Sequence, residues 1–127
     1  MRFIEAIERY SPAGEQERQD ARMMRRYAEI FPDVLSRTNE TAHFTASAWI
    51  VSPDRSRVLM IYHNIYNSWS WTGGHADGQD DPLAVAIKEA REETGLAHIR
   101  PAGEELLSLE ILTVKAHVKR GKYVVPH

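Results

Sequence analysis

The chain of 127 residues carries 16 basic and 18 acidic side chains, which give a net charge of −2 at pH 7. This length allows one domain with a buried core, and the charge argues against a nucleic-acid partner or a membrane surface. Cysteine is absent, which excludes disulfides and thiolate metal sites. No apolar run has the length of a secretion signal or a membrane span, so we expect a soluble, cytoplasmic protein.

Residues 1–40 are predicted to form an N-terminal helical segment. Apolar residues at helical spacing indicate a short helix over residues 3–10. Ser11-Pro12 is typical of the N-cap and first residue of a longer helix, which Phe31-Pro32 ends because the residue before proline disfavours helix. The second half of this longer helix has an apolar stripe that suits core packing or a subunit contact, formed by Met23, Tyr27 and Ile30.

The following stretch is predicted to form a β-hairpin. Residues 43–51 and 58–62 are rich in β-branched and aromatic side chains, and the turn sequence at 52–55 joins them. His43 and His63 flank the two strands. A lone histidine at such a place is more often structural than a ligand, so neither is assigned a role.

Residues 74–96 combine a glycine loop with a helix whose ends are well marked. Asp81 is a good N-cap, Pro82 suits the first helical position, and Gly95 lies where a helix end favours a left-handed residue. Between these residues, helical spacing predicts an apolar stripe that consists of Leu83, Ile87 and Ala90.

Three glutamates, Glu89, Glu92 and Glu93, are spaced i, i+3 and i+4 and are expected to share the face opposite this stripe. Like charges at this spacing destabilise a helix by roughly 0.2–0.5 kcal/mol per pair. One explanation is a solvated acidic face, with Lys88 and Arg91 compensating nearby. The other is a site for a hard cation such as Mg²⁺, which takes oxygen ligands and is typically bound by carboxylates together with substrate phosphates.

The spacing of the whole stretch resembles the Nudix box, G-x5-E-x7-R-E-U-x-E-E-x-G-U, where U is a bulky apolar residue. The matching positions are Gly74, Glu89, Glu92, Glu93, Gly95 and Leu96. The departures are Asp80 for the first glutamate, Lys88 for the arginine and Ala90 for a bulky apolar residue. The register contains no insertion, and a pattern of this length favours a Nudix-type site over a chance acidic helix.

The resemblance implies an α/β/α sandwich with a mixed sheet over residues 41–127. Nudix hydrolases cleave nucleoside diphosphates linked to another moiety, using Mg²⁺ or Mn²⁺. By resemblance, Glu89, Glu92 and Glu93 would be the metal ligands and catalytic residues, and the carbonyl oxygen of Gly73 would be a further ligand. Asp80 and Lys88 would not contact the metal but would hold these ligands in position through hydrogen bonds or ion pairs.

Two functional classes follow from the resemblance. The first is a metal-dependent hydrolase that cleaves the diphosphate linkage of a small-molecule nucleotide or nucleoside diphosphate derivative. The second is a Nudix-like domain that binds or senses a nucleotide without cleaving it. All three box glutamates are present, which favours the hydrolase.

Two tryptophans precede the glycine pair, in residues 64–72, a stretch that is expected to be a polar, aromatic loop. We expect Trp69 and Trp71 to point to opposite faces of an extended segment, so that one of them seals the core beneath the glycines and the other forms a platform for a nucleobase. The sequence does not assign which does which. Gly74 is expected to contact substrate as well, since backbone N–H groups of a glycine-rich loop act as fixed dipoles.

The end of the chain is predicted to be a strand at residues 106–118, a basic turn at 119–122 and a partner strand that begins at 123–125. A sheet that stops there leaves an unpaired edge and an uncovered face. We therefore expect a Nudix domain that lacks its last strands and closing helix. The N-terminal helices or a second copy of the chain, as in a homodimer, are alternative ways to cover that face.

Overall fold

The computed structural model describes residues 1–127 and has a mixed α/β architecture, as expected. The helices are α1 (Phe3–Arg9), α2 (Glu15–Ile30) and α3 (Pro82–Thr94). The strands are β1 (Thr45–Ala48), β2 (Ile50–Val51), β3 (Val58–Leu59), β4 (Ile61–His63), β5 (Ser68–Ser70), β6 (Thr72–His75), β7 (His117–Lys119) and β8 (Lys122–Val124). None of the helices is long and apolar enough to cross a membrane.

The strands form four antiparallel pairs, β1–β6, β2–β3, β4–β5 and β7–β8, instead of one mixed sheet. The predicted hairpin is confirmed, because Ile50 pairs with Leu59 and Val51 with Val58. The prediction of a loop at residues 64–72 holds for the turn at 64–67 and is wrong beyond it, since β5 and the start of β6 lie there.

Three nearly continuous segments, residues 45–51, 58–63 and 68–75, each pair with both of the others. Each segment changes partner at one unpaired residue. When the three registers are continued by one position, they place Trp49, Met60 and Trp71 opposite one another. This change of partner is why each strand predicted in this region is divided into two short strands.

The predicted ends of α3 are confirmed. The Asp81 carboxylate accepts hydrogen bonds from the N–H groups of Leu83 at 3.0 Å and Ala84 at 3.4 Å, and Pro82 is the first helical residue. Gly95 ends the helix with a φ of 74°, in the left-handed region.

The predicted apolar stripe of α3 is only partly right. Ala90 is fully buried, but the other buried apolar side chains of the helix interior are Val85 and Ala86. Leu83 and Ile87 are only half-buried. The helix packs against β1 and β6 through its smaller residues, because small side chains allow the helix and strands to approach closely.

The N-terminal helices differ from the prediction at one boundary. Helix α2 begins at Glu15 with Gly14 as its N-cap, not at Ser11-Pro12. The Glu17 carboxylate accepts hydrogen bonds from the Ala13 N–H at 2.6 Å and from the Tyr10 hydroxyl at 2.8 Å, which keeps the preceding residues outside the helix. The predicted end is confirmed, with Phe31 as the C-cap.

The buried face of α2 is centred on Asp20 and Ala21, and Ile30 of the predicted stripe is exposed. The Asp20 carboxylate accepts a hydrogen bond from the Ile111 N–H at 3.1 Å. The prediction of a strand over residues 106–118 is wrong for most of its length, because the strand begins only at His117. Before it, Val114 and His127 exchange two backbone hydrogen bonds of 2.7 and 3.0 Å, and Ile111 is bonded to the Asp20 side chain instead of a strand.

One buried cluster joins the N-terminal helices to the rest of the chain. It consists of Phe3, Ile7, Ala21, Val34, Phe44, Ala76, Val85 and Leu109. The rings of Phe3 and Phe44 stack with their centroids 5.4 Å apart. The first helix is therefore part of the same core that supports β1 and α3.

The basic turn predicted at residues 119–122 is confirmed. Arg120 and Gly121 both have positive φ angles, 51° and 75°, which is typical of a tight turn between antiparallel strands.

We expect the Asp81→Ala substitution to lower the free energy of unfolding by about 1 kcal/mol, because α3 loses its N-cap. Urea denaturation measures this loss. The Asp81→Asn variant is the matched control, since asparagine keeps the capping oxygen and caps helices about as well as aspartate. Equal destabilisation by the two substitutions would show that the hydrogen bonds to Leu83 and Ala84 are not the cause.

Candidate active site

The two glycines of the box region lie in strand β6 and not in a loop, contrary to the prediction. A Cβ atom on Gly74 would lie 2.3 Å from the carboxyl carbon of Glu89, and one on Gly73 would lie 2.3 Å from the Ser47 hydroxyl. A side chain at either position would therefore require the neighbouring Glu89 or Ser47 side chain to move. The turn itself follows at Asp77 and Gly78, which have φ angles of 48° and 87°.

The structure brings two of the three glutamates to this strand. Only 15% of the Glu89 side chain is exposed, and its carboxylate lies against Gly74. The Gly73 N–H donates a hydrogen bond of 3.3 Å to Oε2 of Glu93. Glu89 and Glu93 thus border the buried face of α3 instead of pointing away from it. Glu92 points outward, with 59% of its side chain exposed.

Lys88 lies between the carboxylates of Glu89 and Glu92 and bonds to both. Its ammonium nitrogen lies 3.0 Å from Oε1 of Glu89 and 3.3 Å from Oε2 of Glu92. Hydrogen bonds to Glu89 and then to Glu92 raise the pKa of Lys88. The lysine therefore compensates part of the negative charge at the position where the Nudix box has arginine.

The remaining negative charge affects Glu93. Burial raises the pKa of its carboxyl, and the nearby charges of Glu89 and Glu92 raise it further, while the Gly73 N–H and His63 act in the opposite direction. A cation would relieve this repulsion. Carboxylate and carbonyl oxygens suit Mg²⁺ or Mn²⁺ chemically, although no three acidic or histidine side chains converge as closely as a metal site requires in this structure.

Asp80, at the first glutamate position of the box, makes its hydrogen bonds to helix α1. The Phe3 N–H lies 3.2 Å from the Asp80 carboxylate and 3.0 Å from its backbone carbonyl oxygen. By resemblance to the Nudix box, Asp80 is expected to support the metal ligands. In the structure its hydrogen bonds with Phe3 instead join α1 to the residue just before the N-cap of α3.

Neither tryptophan that precedes the glycines seals the core. Trp69 is 69% exposed and Trp71 is 42% exposed. Trp69 packs edge-on against Tyr62, its cross-strand partner, with ring centroids 5.5 Å apart. Residues two apart in a strand lie on one face, so the two indoles are candidates for a shared exposed surface. A platform for a nucleobase stays a prediction.

Sequence reasoning missed a group of histidines on the opposite side of β6 from α3. His43 Nε2 and His75 Nδ1 are 3.0 Å apart, and the ring of His127 stacks on His43 with centroids 5.1 Å apart. Burial lowers the pKa of His43 and brings that of His75 to about 4. The one sequence signal that could have connected these histidines to the candidate site is that His75 directly follows Gly74.

A comparison with known protein families bears on the identity of this arrangement. The NUDIX domain matches residues 41–122, which is more than half of the chain. The chain belongs to the Nudix family. Its acidic helix α3 and the glycines of β6 lie within the matched region, and helices α1 and α2 lie outside it.

This Nudix chain is also similar to a protein of Streptomyces rubellomurinus (strain ATCC 31215), CMP-5'-(N-acetyl-N-hydroxy-3-aminopropyl)phosphonate hydrolase. The two are 41% identical over 54 residues, which cover 39% of this chain. The chain spans 26% of the length of that relative.

We expect Gly74→Ala to weaken Mn²⁺ binding by about 10-fold or more, because its methyl group displaces the Glu89 carboxylate. Stability should change little, since the clash is with the end of a flexible side chain. Calorimetric titration with Mn²⁺ and urea denaturation measure the two effects. Gly103→Ala is the control, because nothing lies within 4 Å of a Cβ there. Unchanged Mn²⁺ affinity in Gly74→Ala would contradict a ligand role for Glu89.

Proposed function

We propose that this chain is a metal-dependent hydrolase that cleaves the linkage between two phosphorus atoms in a nucleotide derivative. The observation that carries the proposal is the packing of Glu89 and Glu93 against the Gly73-Gly74 backbone, within the matched Nudix region. This packing leaves two carboxylates beside a glycine pair, which has no side chains to obstruct a phosphate.

The proposed metal ligands are Glu89, Glu92, Glu93 and the carbonyl oxygen of Gly73. A bound Mg²⁺ or Mn²⁺ would neutralise the charge that makes a diphosphate resist nucleophiles, and it would acidify a bound water. Lys88 positions the carboxylates of Glu89 and Glu92 by hydrogen bonds to both. Its ammonium group supplies positive charge but cannot donate two parallel hydrogen bonds to one carboxylate, as the planar guanidinium of arginine does. We therefore infer that the carboxylates are held less firmly than in a Nudix box with arginine.

Glu89 is our candidate for the general base. Its carboxylate is mostly shielded from water and lies against the strand over which the substrate phosphates would pass. A carboxylate in this position can accept a proton from an attacking water, whose oxygen bonds to phosphorus while the bond from that phosphorus to the bridging oxygen breaks, and the bridging oxygen leaves with the other half of the substrate. The products would be a nucleoside monophosphate and a phosphorylated or phosphonylated second product.

The substrate class follows from the relative. Its name describes hydrolysis of a CMP conjugate of a phosphonate. We therefore infer a small nucleotide whose phosphate is joined to a second phosphorus group, with cytidine conjugates as the first to test. The decisive measurement is product release from a panel of such nucleotides, with Mg²⁺ and with a chelator.

A binding or sensor domain is the second candidate. Two observations favour it: Lys88 already pairs with Glu89 and Glu92, and the acidic side chains do not converge on one point. Such a domain would bind nucleotides without releasing product at any Mg²⁺ concentration. The same panel, combined with a binding measurement, distinguishes the two functions.

We expect Glu93→Gln and Glu92→Gln each to lower turnover by roughly 10²–10³-fold, by analogy with the loss of one preorganised electrostatic contact. Stability without metal should stay constant or rise slightly, because repulsion between like charges is relieved. Steady-state assays with Mg²⁺ measure the loss, and Glu110→Gln on the exposed surface is the control. Near-wild-type, Mg²⁺-dependent turnover in both variants would rule out these ligands.

We expect Lys88→Arg to tighten Mn²⁺ binding by a few-fold, because a guanidinium can donate parallel hydrogen bonds to the carboxylates. Titration of the metal-free protein with Mn²⁺ measures the change. Lys122→Arg in the distant basic hairpin is the matched control. If affinity is unchanged or falls in Lys88→Arg, the lysine is not a weaker substitute for arginine at this site.

A further inference from the structure

An open cleft of about 380 Å³ lies beside Glu93 of helix α3. Its lining consists of Glu93 from α3 and a continuous stretch of β4 and the turn after it, namely Ile61, Tyr62, His63, Asn64 and Ile65. This volume is in the range of small-molecule sites, which typically combine apolar walls with a few polar groups. The box pattern includes only Glu93 among these residues.

His63 presents a hydrogen-bond donor whose tautomer is set by its neighbour. The Tyr66 N–H donates to Nδ1 of His63 at 3.4 Å, and the two rings pack with centroids 4.5 Å apart. Because an amide N–H can only donate, Nδ1 is the accepting nitrogen. In the neutral imidazole the proton is therefore on Nε2, which is free to donate to another group.

The His63 imidazole and the Glu93 carboxylate line the same cleft. Ile61 and His63 lie two residues apart in β4 and hence on one face of the strand, and Glu93 shares their cleft. A substrate phosphorus group near Glu93 would thus also be near the imidazole.

The lining favours the non-nucleoside end of the substrate over its base. Tyr62, the one aromatic ring with a broad face in the cleft lining, packs edge-on against Trp69, and its hydroxyl donates to Asn67. The exposed indoles of Trp69 and Trp71 are not part of the cleft lining, and Trp69, as the cross-strand partner of Tyr62, lies on the strand face opposite to His63. Two isoleucines, an imidazole and an amide suit a polar phosphorus group that carries an organic substituent.

We propose that this cleft receives the second phosphorus group of the substrate and that His63 donates its Nε2–H to an oxygen of that group. The inference rests on the proposed function, because it assumes a nucleotide joined to a second phosphorus. His63 is then a residue that recognises the leaving half of the substrate, and the side-chain amide of Asn64 adds a second polar contact at the turn.

Two substitutions of His63 separate its two nitrogens. The His63→Gln side chain places an amide nitrogen near the position of Nε2 and keeps the donor. The His63→Asn side chain reaches only the position of Nδ1 and lacks that donor. The probes are the cytidine diphosphate analogue with a methylene bridge between its phosphorus atoms, which resists hydrolysis, and CMP, which lacks the second phosphorus.

Calorimetry in the presence of Mn²⁺ measures the affinity of both probes. In His63→Asn we expect binding of the bridged analogue to weaken by about 10-fold or more, as for a lost hydrogen bond to a charged group, with unchanged binding of CMP. In His63→Gln, affinity for both probes should stay within about 3-fold of wild type. Both variants should bind Mn²⁺ alone like the wild type, which excludes an effect through Glu93.

A second pair of variants tests the cleft without changing His63. Ile65→Trp places bulk in the cleft and should raise KM for cytidine conjugates without lowering kcat. Leu112→Trp adds the same bulk at an exposed position away from the cleft lining and is the control. An equal KM in the two variants would overturn the cleft assignment.

The outcomes separate this inference from the hydrolase proposal. If the wild type hydrolyses cytidine conjugates but His63→Asn binds the bridged analogue normally, the inference is wrong and the hydrolase stands. If the analogue binds with the expected dependence on His63 but no product forms with Mg²⁺, the hydrolase proposal is wrong and the cleft assignment stands. Equal weakening of CMP and of the analogue overturns the inference, and so does a wild type that does not bind the analogue.

Discussion

Close packing of helix α3 on strand β6 is the contact on which the candidate site depends. Gly74 has no side chain, so the Glu89 carboxylate lies directly against the strand. Ala90, the next residue of the helix, is fully buried at the same interface. The distance between helix and strand is therefore set by the smallest residues available. The same approach positions Glu93 to accept the Gly73 N–H.

This packing has an electrostatic cost that the rest of the site only partly offsets. Glu89, Glu92 and Glu93 repel one another, and Lys88 reaches two of the three carboxylates. A fold selected for stability alone would gain by replacing one glutamate with a neutral residue. The presence of all three agrees with the proposed site, whose charge would serve a bound cation and its phosphate ligand.

Local sequence signals predicted the ends of α3 well, because Asp81, Pro82 and Gly95 act through their own backbone geometry and short-range hydrogen bonds. They did not predict how the glutamates are divided, because Glu89 and Glu93 border the buried face of the helix and Glu92 points outward. They failed where the hydrogen bonds of particular side chains, local or distant, decide the structure. The start of α2 depends on the Glu17 side chain, and the irregular stretch around Ile111 depends on Asp20. The imidazole pair His43–His75 is formed only when two strands meet, so no local pattern indicated it.

The cyclic pairing of residues 45–51, 58–63 and 68–75 has a consequence for local unfolding. Each segment uses one end to pair with one neighbour and the other end to pair with the second. No segment can separate without breaking two ladders at once, so amide protons over residues 45–75 should exchange with solvent as one cooperative unit. The glycine strand of the site belongs to that unit, and its backbone is thereby protected from the independent fraying typical of a short strand.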